Sequence, residues 1–200
     1  MIPAPLALTR LREGNRRFVE HGGGPISPGR PSAAQQPFAI VLGCSDSRVP
    51  AEIIFGQGFG DLFVIRVAGN IIAPSQIGSV EFAVERFGIR LAVVLGHTQC
   101  GAVAATLEDL RQPQDQHSPN LRDIVDRIRP ALEPLLATAL ARDPVSLSAA
   151  ATRANVHASV NQLRHGSQLL ERRIERDGLM IVGAEYSVES GIVEFVDGND

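Results

Sequence analysis

The sequence lacks or nearly lacks several residue types, and these absences limit what the protein can be. It contains no lysine and no tryptophan, and it has only two cysteines among 200 residues. The 19 basic residues are scattered among 22 acidic residues without a basic block, which argues against a nucleic-acid-binding protein. The longest apolar runs, such as residues 91–96, are far too short to span a bilayer, so we predict no membrane segment.

The remaining composition is that of an ordinary globular protein. Hydrophobic residues make up 44% of the chain and charged residues 20%, and we predict one domain over residues 1–200. The first residues turn charged by Arg10 and have no basic start before their apolar positions, unlike a secretory signal, so we expect a cytoplasmic protein. In that compartment the two cysteines stay reduced, as buried thiols, reactive thiols or metal ligands.

Four short apolar runs, rich in valine and isoleucine, predict strands that are buried on both faces. They cover residues 38–43, 62–67, 91–96 and 179–183. Helical patterns cover residues 75–87, 102–110, 121–142 and 149–177. This alternation predicts an α/β fold in which helices flank a mainly parallel four-stranded sheet, and residues 191–196 could add an edge strand.

The N-terminal part is predicted to be a helical arm followed by a loop, together residues 1–36. Residues 5–20 place apolar side chains at a rough helical spacing, whereas residues 21–36 are rich in glycine, proline, serine and alanine. An arm joined in this way often packs on a neighbouring subunit, which we take as a hypothesis. Residues 112–120 are polar and contain proline, so a surface loop is predicted there.

Potential metal ligands follow two of the predicted strands. Cys44 comes directly after the strand at residues 38–43. His97 comes directly after the strand at residues 91–96, and Cys100 follows three residues later. Because ligands of open parallel sheets bind at the carboxyl ends of the strands, we expect these side chains to meet at one edge of the sheet.

These three residue types predict a catalytic zinc site. Thiolate and imidazole are ligands that zinc prefers, and three protein ligands leave a fourth tetrahedral position open. Zinc can lower the pKa of bound water from 15.7 to about 7, which gives hydroxide near neutral pH. Two negative thiolates should make that water less acidic than three neutral imidazoles would, so we expect an optimum on the alkaline side.

A charged pair follows the first cysteine. Asp46 and Arg48 lie two and four residues after Cys44, so in an extended stretch all three side chains would face the same way. An arginine–carboxylate pair is strong and often bidentate. We expect Arg48 to hold Asp46 ionised, as an acceptor for the proton of zinc-bound hydroxide. Asp46 could equally swing onto the metal and close its fourth position.

Each of these residues has a simpler interpretation when it is taken alone. A lone cysteine is more often a buried thiol, a lone histidine is more often structural, and an aspartate often caps a turn. The combination of C-x-D-x-R after one buried strand and H-x-x-C after another favours the metal site. The other histidines lie in polar loops or on helix faces, and we expect them to be solvated: His21, His117, His157 and His165.

At these residues the sequence resembles the β-class carbonic anhydrases, and the resemblance extends over nearly the whole chain. It is strongest in CSDSRVPAE at residues 44–52 and HTQCGAV at residues 97–103, with GNRRF at residues 14–18 in the arm. The resemblance implies Zn²⁺ held by the three ligands and a catalytic pair of Asp46 and Arg48. In a closed, inactive form Asp46 itself would occupy the fourth metal position.

The resemblance also implies an activity, a substrate and an assembly. The reaction would be reversible hydration of CO₂ to bicarbonate and a proton by attack of zinc-bound hydroxide, in a homodimer or homotetramer with an α/β fold. Gln57 and Gly101 are candidates for contacting the substrate. One branch of the family has a bicarbonate site built partly on a tryptophan. This chain has Val41 at that position, so bicarbonate inhibition through that pocket is not expected.

Other functions of the same residues stay open. A hydrolase of CO₂-like molecules such as carbonyl sulfide or carbon disulfide would use the same site, with a narrower and more apolar approach. A non-enzymatic zinc or thiol sensor would use the two cysteines but would need neither member of the charged pair. A structural zinc site would have four protein ligands. Because CO₂ is uncharged, we expect an apolar pocket, and Phe63, Val67 and Ile71 are candidates for its lining.

Overall fold

The computed structural model describes residues 2–21, 34–112 and 118–196, and its centre is a five-stranded sheet. The strands are β1 (Ala39–Gly43), β2 (Leu62–Arg66), β3 (Leu91–His97), β4 (Met180–Tyr186) and β5 (Val193–Phe195). Their order in the sheet is β2-β1-β3-β4-β5, with the first four parallel and β5 antiparallel to β4. The predicted parallel sheet with an extra edge strand is confirmed.

Helices cover both faces of this sheet. They are α1 (Ala4–His21), α2 (Ala51–Ile54), α3 (Pro74–Phe87), α4 (Gly101–Arg111), α5 (Pro119–Leu132), α6 (Pro144–His165) and α7 (Gln168–Asp177). Three short 3₁₀ helices lie at Ala68–Asn70, Glu133–Ala137 and Ala139–Arg142. Within the described ranges, no helix is long and apolar enough to cross a membrane.

The burial of the strands explains why they are short, continuous apolar runs. Every residue of the central strands β1 and β3 is buried, as expected for parallel strands covered on both faces. On one face α1 and α2 pack on Val41, Val93 and Val182. On the other face α3, α6 and α7 pack on a second cluster that includes Ile40 and Val94. The sheet is therefore packed on both faces, and its carboxyl edge carries the loops after β1 and β3.

The N-terminal helix packs on the sheet of its own chain. Ala7 and Leu11 of α1 are completely buried in the cluster that covers the first face. Asn15 donates to the carbonyl oxygens of Ile54 (3.2 Å) and Gly191 (2.9 Å), which ties α1 to α2 and to the segment before β5. The helical arm was predicted correctly, and the hypothesis that it also packs on a neighbouring subunit stays a prediction. Most of the predicted loop after it, residues 22–33, lies outside the described residues.

One predicted helix is shorter in the structure. The pattern over residues 121–142 predicted a single helix, but α5 ends at Leu132 and two 3₁₀ helices follow. Pro134 explains the ending, because it has no backbone N–H to continue the helical hydrogen bonds. At its other end α5 begins at Pro119, with the Ser118 hydroxyl accepting from the backbone N–H of Leu121. Of the loop predicted over residues 112–120, residues 113–117 lie outside the described ranges.

A second predicted helix is divided in two. The pattern over residues 149–177 predicted one helix, but α6 ends at His165 and α7 begins at Gln168. The Ser167 hydroxyl accepts a hydrogen bond from the backbone N–H of Leu170 and so caps α7. The first helix also begins earlier than predicted, because Asp143 caps it and Pro144 occupies its first turn.

Candidate metal centre

Three buried side chains meet at the carboxyl edge of the sheet. Cys44 directly follows β1, His97 is the last residue of β3, and Cys100 directly precedes α4. Their sulfur and ring nitrogen atoms all lie within 4.8 Å of one another, and the two sulfur atoms are 4.0 Å apart. The parallel direction of β1 and β3 thus brings together residues that are more than fifty positions apart in the sequence, as the sequence predicts.

The donor atoms of this cluster fit a zinc ion. The Nδ1 atom of His97 lies 2.9 Å from the carbonyl oxygen of Thr98. A carbonyl can only accept, so Nδ1 carries the hydrogen and the Nε2 lone pair of the neutral ring is free to bind a metal. This Nε2 atom is buried and has no hydrogen-bond partner among the described residues. Tetrahedral zinc with Zn–S bonds of about 2.3 Å places two sulfur ligands about 3.8 Å apart, close to the observed sulfur separation.

The protonation of the cluster also favours a cation. The contact with Cys100 lowers the pKa of Cys44, whereas the same contact and burial raise the pKa of Cys100. The backbone N–H of Gly69 donates to the Cys44 sulfur at 3.3 Å, which stabilises a thiolate there. Burial acts to lower the pKa of His97, but the close contact and charge interaction with Cys44 raise it overall. A bound divalent cation would replace the protons that these groups share.

Asp46 lies beside the cluster and is held by Arg48. One carboxylate oxygen of Asp46 accepts from the backbone N–H (2.9 Å) and Nε (3.0 Å) of Arg48, and the other accepts from Nη2 (2.8 Å). The Arg48 side chain therefore holds the pKa of Asp46 well below its usual range. The second oxygen, Oδ2, is also 3.9 Å from Nε2 of His97. An acceptor-only carboxylate thus lies next to the atoms that would hold the metal.

The charged pair forms through a turn and not through an extended stretch. The backbone N–H of Val49 donates to the carbonyl oxygen of Asp46 at 3.0 Å, which closes a turn over these residues. The expectation that alternate residues of an extended segment face the same way was therefore wrong, although the predicted pairing of Asp46 with Arg48 is present. The turn brings the guanidinium back over the carboxylate.

Arg66 fixes the loop that carries Cys44 and Asp46. It is the last residue of β2, opposite Gly43 in the sheet. Its Nε donates to the carbonyl oxygen of Cys44 (3.1 Å), and its Nη2 donates to that of Asp46 (2.6 Å). Reasoning from the sequence gave Arg66 no part in the metal site. One signal in the sequence could have revealed it. Arg66 ends a predicted strand, and the carboxyl end of that strand lies at the same edge of the sheet as Cys44.

The two predicted substrate contacts lie in different surroundings. Gln57 is buried; its Nε2 donates to the carbonyl oxygen of Phe55 (2.6 Å) and its Oε1 accepts from Nε of Arg10 (3.0 Å). Its hydrogen bonds therefore join α1 to the loop after α2 and do not lead to the cluster. Gly101, the first residue of α4, adjoins Cys100, and an added Cβ there would meet no atom within 4 Å. Both roles stay predictions.

The predicted pocket residues separate into two groups. Val67 and Ile71 belong to the hydrophobic cluster that also contains Cys44 and Cys100. The ring of Phe63 instead packs against Phe82 and Phe87 of α3, with centroids 6.1 and 6.0 Å away. Phe63 was therefore wrongly expected at the site, because it lies on the same face of β2 as Ile65, the face that packs against α3.

The remaining histidines do not join the cluster. His21, His157 and His165 are exposed, and His165 lies 3.7 Å from a carboxylate oxygen of Glu171. His117 lies outside the described residues. Among the residues that the structure describes, Cys44, His97 and Cys100 form the one group arranged as metal ligands.

Comparison with known proteins identifies the family. The family model described as "Carbonic anhydrase" matches residues 39–193, which include the whole cluster and the charged pair. The solved structure of the β-carbonic anhydrase CcaA covers 98% of this chain and 93% of its own, with a TM-score of 0.72 and 28% identity. The chain belongs to the β-carbonic anhydrase family. It is thus a member of an enzyme family of the lyase class.

Curated carbonic anhydrases also align with this chain over most of both chains. "Carbonic anhydrase 2" of Mycobacterium tuberculosis is 40% identical over 190 residues, covering 90% of this chain and 87% of the relative. The carbonic anhydrase of Mycolicibacterium smegmatis is 40% identical over 191 residues, covering 92% and 89%. Among solved structures, the β-carbonic anhydrase CafA of Aspergillus fumigatus is 26% identical with a TM-score of 0.71 and covers 98% of this chain and 91% of its own.

Proposed function

We propose that this β-carbonic anhydrase catalyses the zinc-dependent, reversible hydration of CO₂ to bicarbonate and a proton. The observation that supports the proposal most is the position of the Asp46 carboxylate, 3.9 Å from the unpaired Nε2 atom of His97. Three buried ligands and one adjacent acceptor make a site that can hold a metal and orient a water molecule beside it. Such an arrangement suits a reaction in which water is the nucleophile.

The ligands and the charged pair have separate tasks. Cys44, His97 and Cys100 would hold the metal, and the Asp46 carboxylate lies beside them. A bound zinc ion supplies a Lewis acid that makes a water molecule acidic enough to react near neutral pH. Asp46, kept ionised by Arg48, accepts a hydrogen bond from the reacting water and so directs its lone pair toward the carbon of CO₂. Water and CO₂ together give bicarbonate, and one proton leaves to solvent.

The wall of the site suits an uncharged substrate. Val67, Ile71 and Val103 form part of the apolar cluster around the two cysteines. CO₂ has no charge to bind, so apolar walls favour its approach while the charged product is better solvated outside. Hydrolysis of carbonyl sulfide or carbon disulfide would use the same walls, and the ratio of the rates on CO₂ and on these molecules distinguishes the two activities. A thiol sensor would not need the ion pair of Asp46 and Arg48, so the presence of this pair favours an enzyme.

The decisive experiment combines rate and metal content on one sample. Stopped-flow hydration of CO₂ is measured across pH for the wild type and for Asp46→Asn, and zinc per chain is determined for both. We expect stoichiometric zinc in both proteins and a loss in kcat of about 10²–10⁴-fold in the variant, the usual range for a general acid–base group. Full activity in Asp46→Asn would remove Asp46 from the mechanism, and absence of zinc from the wild type would reject the metal site.

We also propose that the protein is a cytoplasmic homodimer or homotetramer. Phe59 and Phe82 expose 63% and 53% of their surface in the isolated chain, and β2 is an edge strand with one side unpaired. Two β-carbonic anhydrases of Sordaria macrospora with the same fold are described as tetrameric. Light scattering during size-exclusion chromatography gives the mass of the assembly, and fractionation of cells gives its location. A monomer at micromolar concentration would contradict the first part.

A further inference from the structure

Arg48 is held by a second residue besides Asp46. Its Nη1 donates to the side-chain Oε1 of Gln99 at 3.3 Å, and its Nη2 reaches the backbone carbonyl oxygen of Gln99 at 3.3 Å. Gln99 lies between the ligands His97 and Cys100, in a left-handed backbone conformation with φ of 59°. The guanidinium is thus placed between the carboxylate on one side and two oxygen atoms of Gln99 on the other.

Glu189 determines which end of the Gln99 amide faces Arg48. The Nε2 of Gln99 donates to a carboxylate oxygen of Glu189 at 2.6 Å. An ionised carboxylate can only accept, so the amide nitrogen must point to Glu189 and the amide oxygen to Arg48. Without Glu189 the amide could turn and present its N–H groups to the guanidinium, which also has only donors.

The fold places Glu189 opposite Gln99. The backbone N–H of Thr98 donates to the carbonyl oxygen of Tyr186 at 2.9 Å, and the backbone N–H of Val188 donates to the Thr98 hydroxyl at 3.1 Å. These bonds join the segment after β3 to the segment after β4. Backbone hydrogen bonds therefore hold the segments that carry Gln99 and Glu189 next to each other, and this supports the contact between their side chains.

The charged pair needs such support because it is partly exposed. The side chain of Arg48 is 47% exposed and that of Asp46 is 19% exposed. Water competes for the half-exposed guanidinium, so further contacts to Arg48 restrict its movement away from Asp46. If Arg48 moved away, Asp46 would be free to turn its Oδ2 atom, already 3.9 Å from Nε2 of His97, toward the metal position.

We propose that Gln99, oriented by Glu189, is a positioning residue that keeps Arg48 on Asp46 and so keeps the carboxylate away from the metal position. The proposal rests on the proposed function and adds a control of that same site. The contacts from Glu189 through Gln99 and Arg48 to Asp46 favour the open form of the site. In this form the carboxylate stays off the metal position, and a water molecule has room beside it.

The test changes Glu189, the exposed residue at the outer end of this series of contacts. Glu189→Ala removes the acceptor, whereas Glu189→Gln keeps a carbonyl acceptor without the charge. Glu175→Ala, which changes an exposed glutamate on α7, is the matched control. For each zinc-loaded protein we measure kcat and KM for CO₂ hydration, zinc content and thermal unfolding. For the cobalt-substituted proteins we record the visible absorption spectrum, which differs between a water ligand and a carboxylate ligand.

We expect Glu189→Ala to lower kcat by about two- to fivefold, the effect of one exposed charge-assisted contact, with unchanged zinc content and unfolding temperature. Its cobalt spectrum should shift toward carboxylate coordination, and Glu189→Gln should restore both readouts toward the wild type. A wild-type spectrum in Glu189→Ala, or a Glu189→Gln variant as impaired as Glu189→Ala, would overturn the inference. An inactive or metal-free wild type would instead reject the proposed function, so the two failures are distinguishable.

Discussion

At the scale of single residues, the site depends on three buried side chains whose sulfur and nitrogen atoms lie close together. The Nε2 of His97 is buried without a hydrogen bond among the described residues, and the two cysteine sulfurs are 4.0 Å apart. An unpaired buried nitrogen is unfavourable for stability unless a ligand uses it. A metal-binding role would therefore explain why this nitrogen is buried without a partner.

We expect Cys44→Ser, His97→Asn and Cys100→Ser to lose zinc and CO₂ hydration together. Each change removes one of the three buried side chains that are grouped as metal ligands, and Asp46 alone cannot restore the lost soft or imidazole ligand. Zinc per chain and the stopped-flow rate are measured on the same preparations. His165→Asn is the matched control, because this histidine is 70% exposed and lies apart from the cluster on α6. A ligand variant that kept stoichiometric zinc and full rate would contradict the assignment.

The sequence was sufficient to predict that Cys44, His97 and Cys100 meet, because strand direction alone brings the ends of β1 and β3 to one edge. It was not sufficient for Arg66, Gln99 and Glu189. Arg66 acts through backbone carbonyls, which no side-chain pattern reveals. The contact between Gln99 and Glu189 depends on the path of the segment after β4, and that path is set by hydrogen bonds between loops.

At the scale of elements, the strands were predictable and the helix ends were less so. A strand buried on both faces must be apolar throughout, which gives a clear pattern in residues 91–96. The apolar spacing of residues 149–177 continues across Gly166, so the pattern alone does not show the division between α6 and α7. The division depends on the capping of α7 by Ser167, a local hydrogen bond that competes with helix continuation.

The contact between α1 and the end of α2 gives a test of the arm. A Cβ atom built on Gly14 would lie 1.8 Å from the carbonyl oxygen of Phe55, so Gly14→Ala must push the two segments apart. We expect a loss of about 1–3 kcal/mol in the free energy of unfolding, typical of overpacking. Urea denaturation measures the loss.

A second glycine supplies the control for this experiment. Gly78 is exposed in the middle of α3, and an added Cβ there meets no atom within 4 Å. Gly78→Ala should therefore stabilise the protein by about 0.5–1 kcal/mol through helix propensity. Equal effects of the two substitutions would mean that α1 does not pack on its own chain in solution.

The start of α6 has a cap whose contribution depends on pH. The carboxylate of Asp143 accepts from the Ser146 hydroxyl and from the backbone N–H of Val145, and these hydrogen bonds lower its pKa below the ordinary value. Because the folded-state pKa is the lower one, the stabilisation is complete above the ordinary carboxyl pKa of about 3.9 and is lost as the pH falls through the folded-state value.

We therefore expect Asp143→Ala to lower the unfolding temperature at neutral pH, and expect the difference from the wild type to shrink below about pH 4. Asp143→Asn keeps a side-chain oxygen for the backbone N–H of Val145 and should lose less. Thermal unfolding followed by circular dichroism over a pH series provides the measurement. A difference that stayed constant down to the lowest pH would show that the ionised cap does not contribute.

At the scale of the whole molecule, the candidate metal site brings together three segments that lie at the carboxyl edge of the sheet. The loop after β1, the last residue of β3 and the residue before α4 each supply one of the three candidate ligands. A metal bound to all three restrains their relative positions in the folded state but has no equivalent site in the unfolded chain. Metal binding should therefore stabilise the entire domain and not only the loops.

We expect removal of zinc by a chelator to lower the unfolding temperature, and zinc addition to restore it. A ligand present at about 100 times its dissociation constant stabilises a folded protein by about 2.7 kcal/mol, so the shift is measurable by calorimetry. Because the ligands must be deprotonated to bind the metal, the stabilisation should decrease as the pH is lowered. Cys100→Ser should show no response to the chelator. A wild type that lost its zinc and kept its unfolding temperature would contradict this prediction. It would mean that metal binding to the three segments does not stabilise the folded domain.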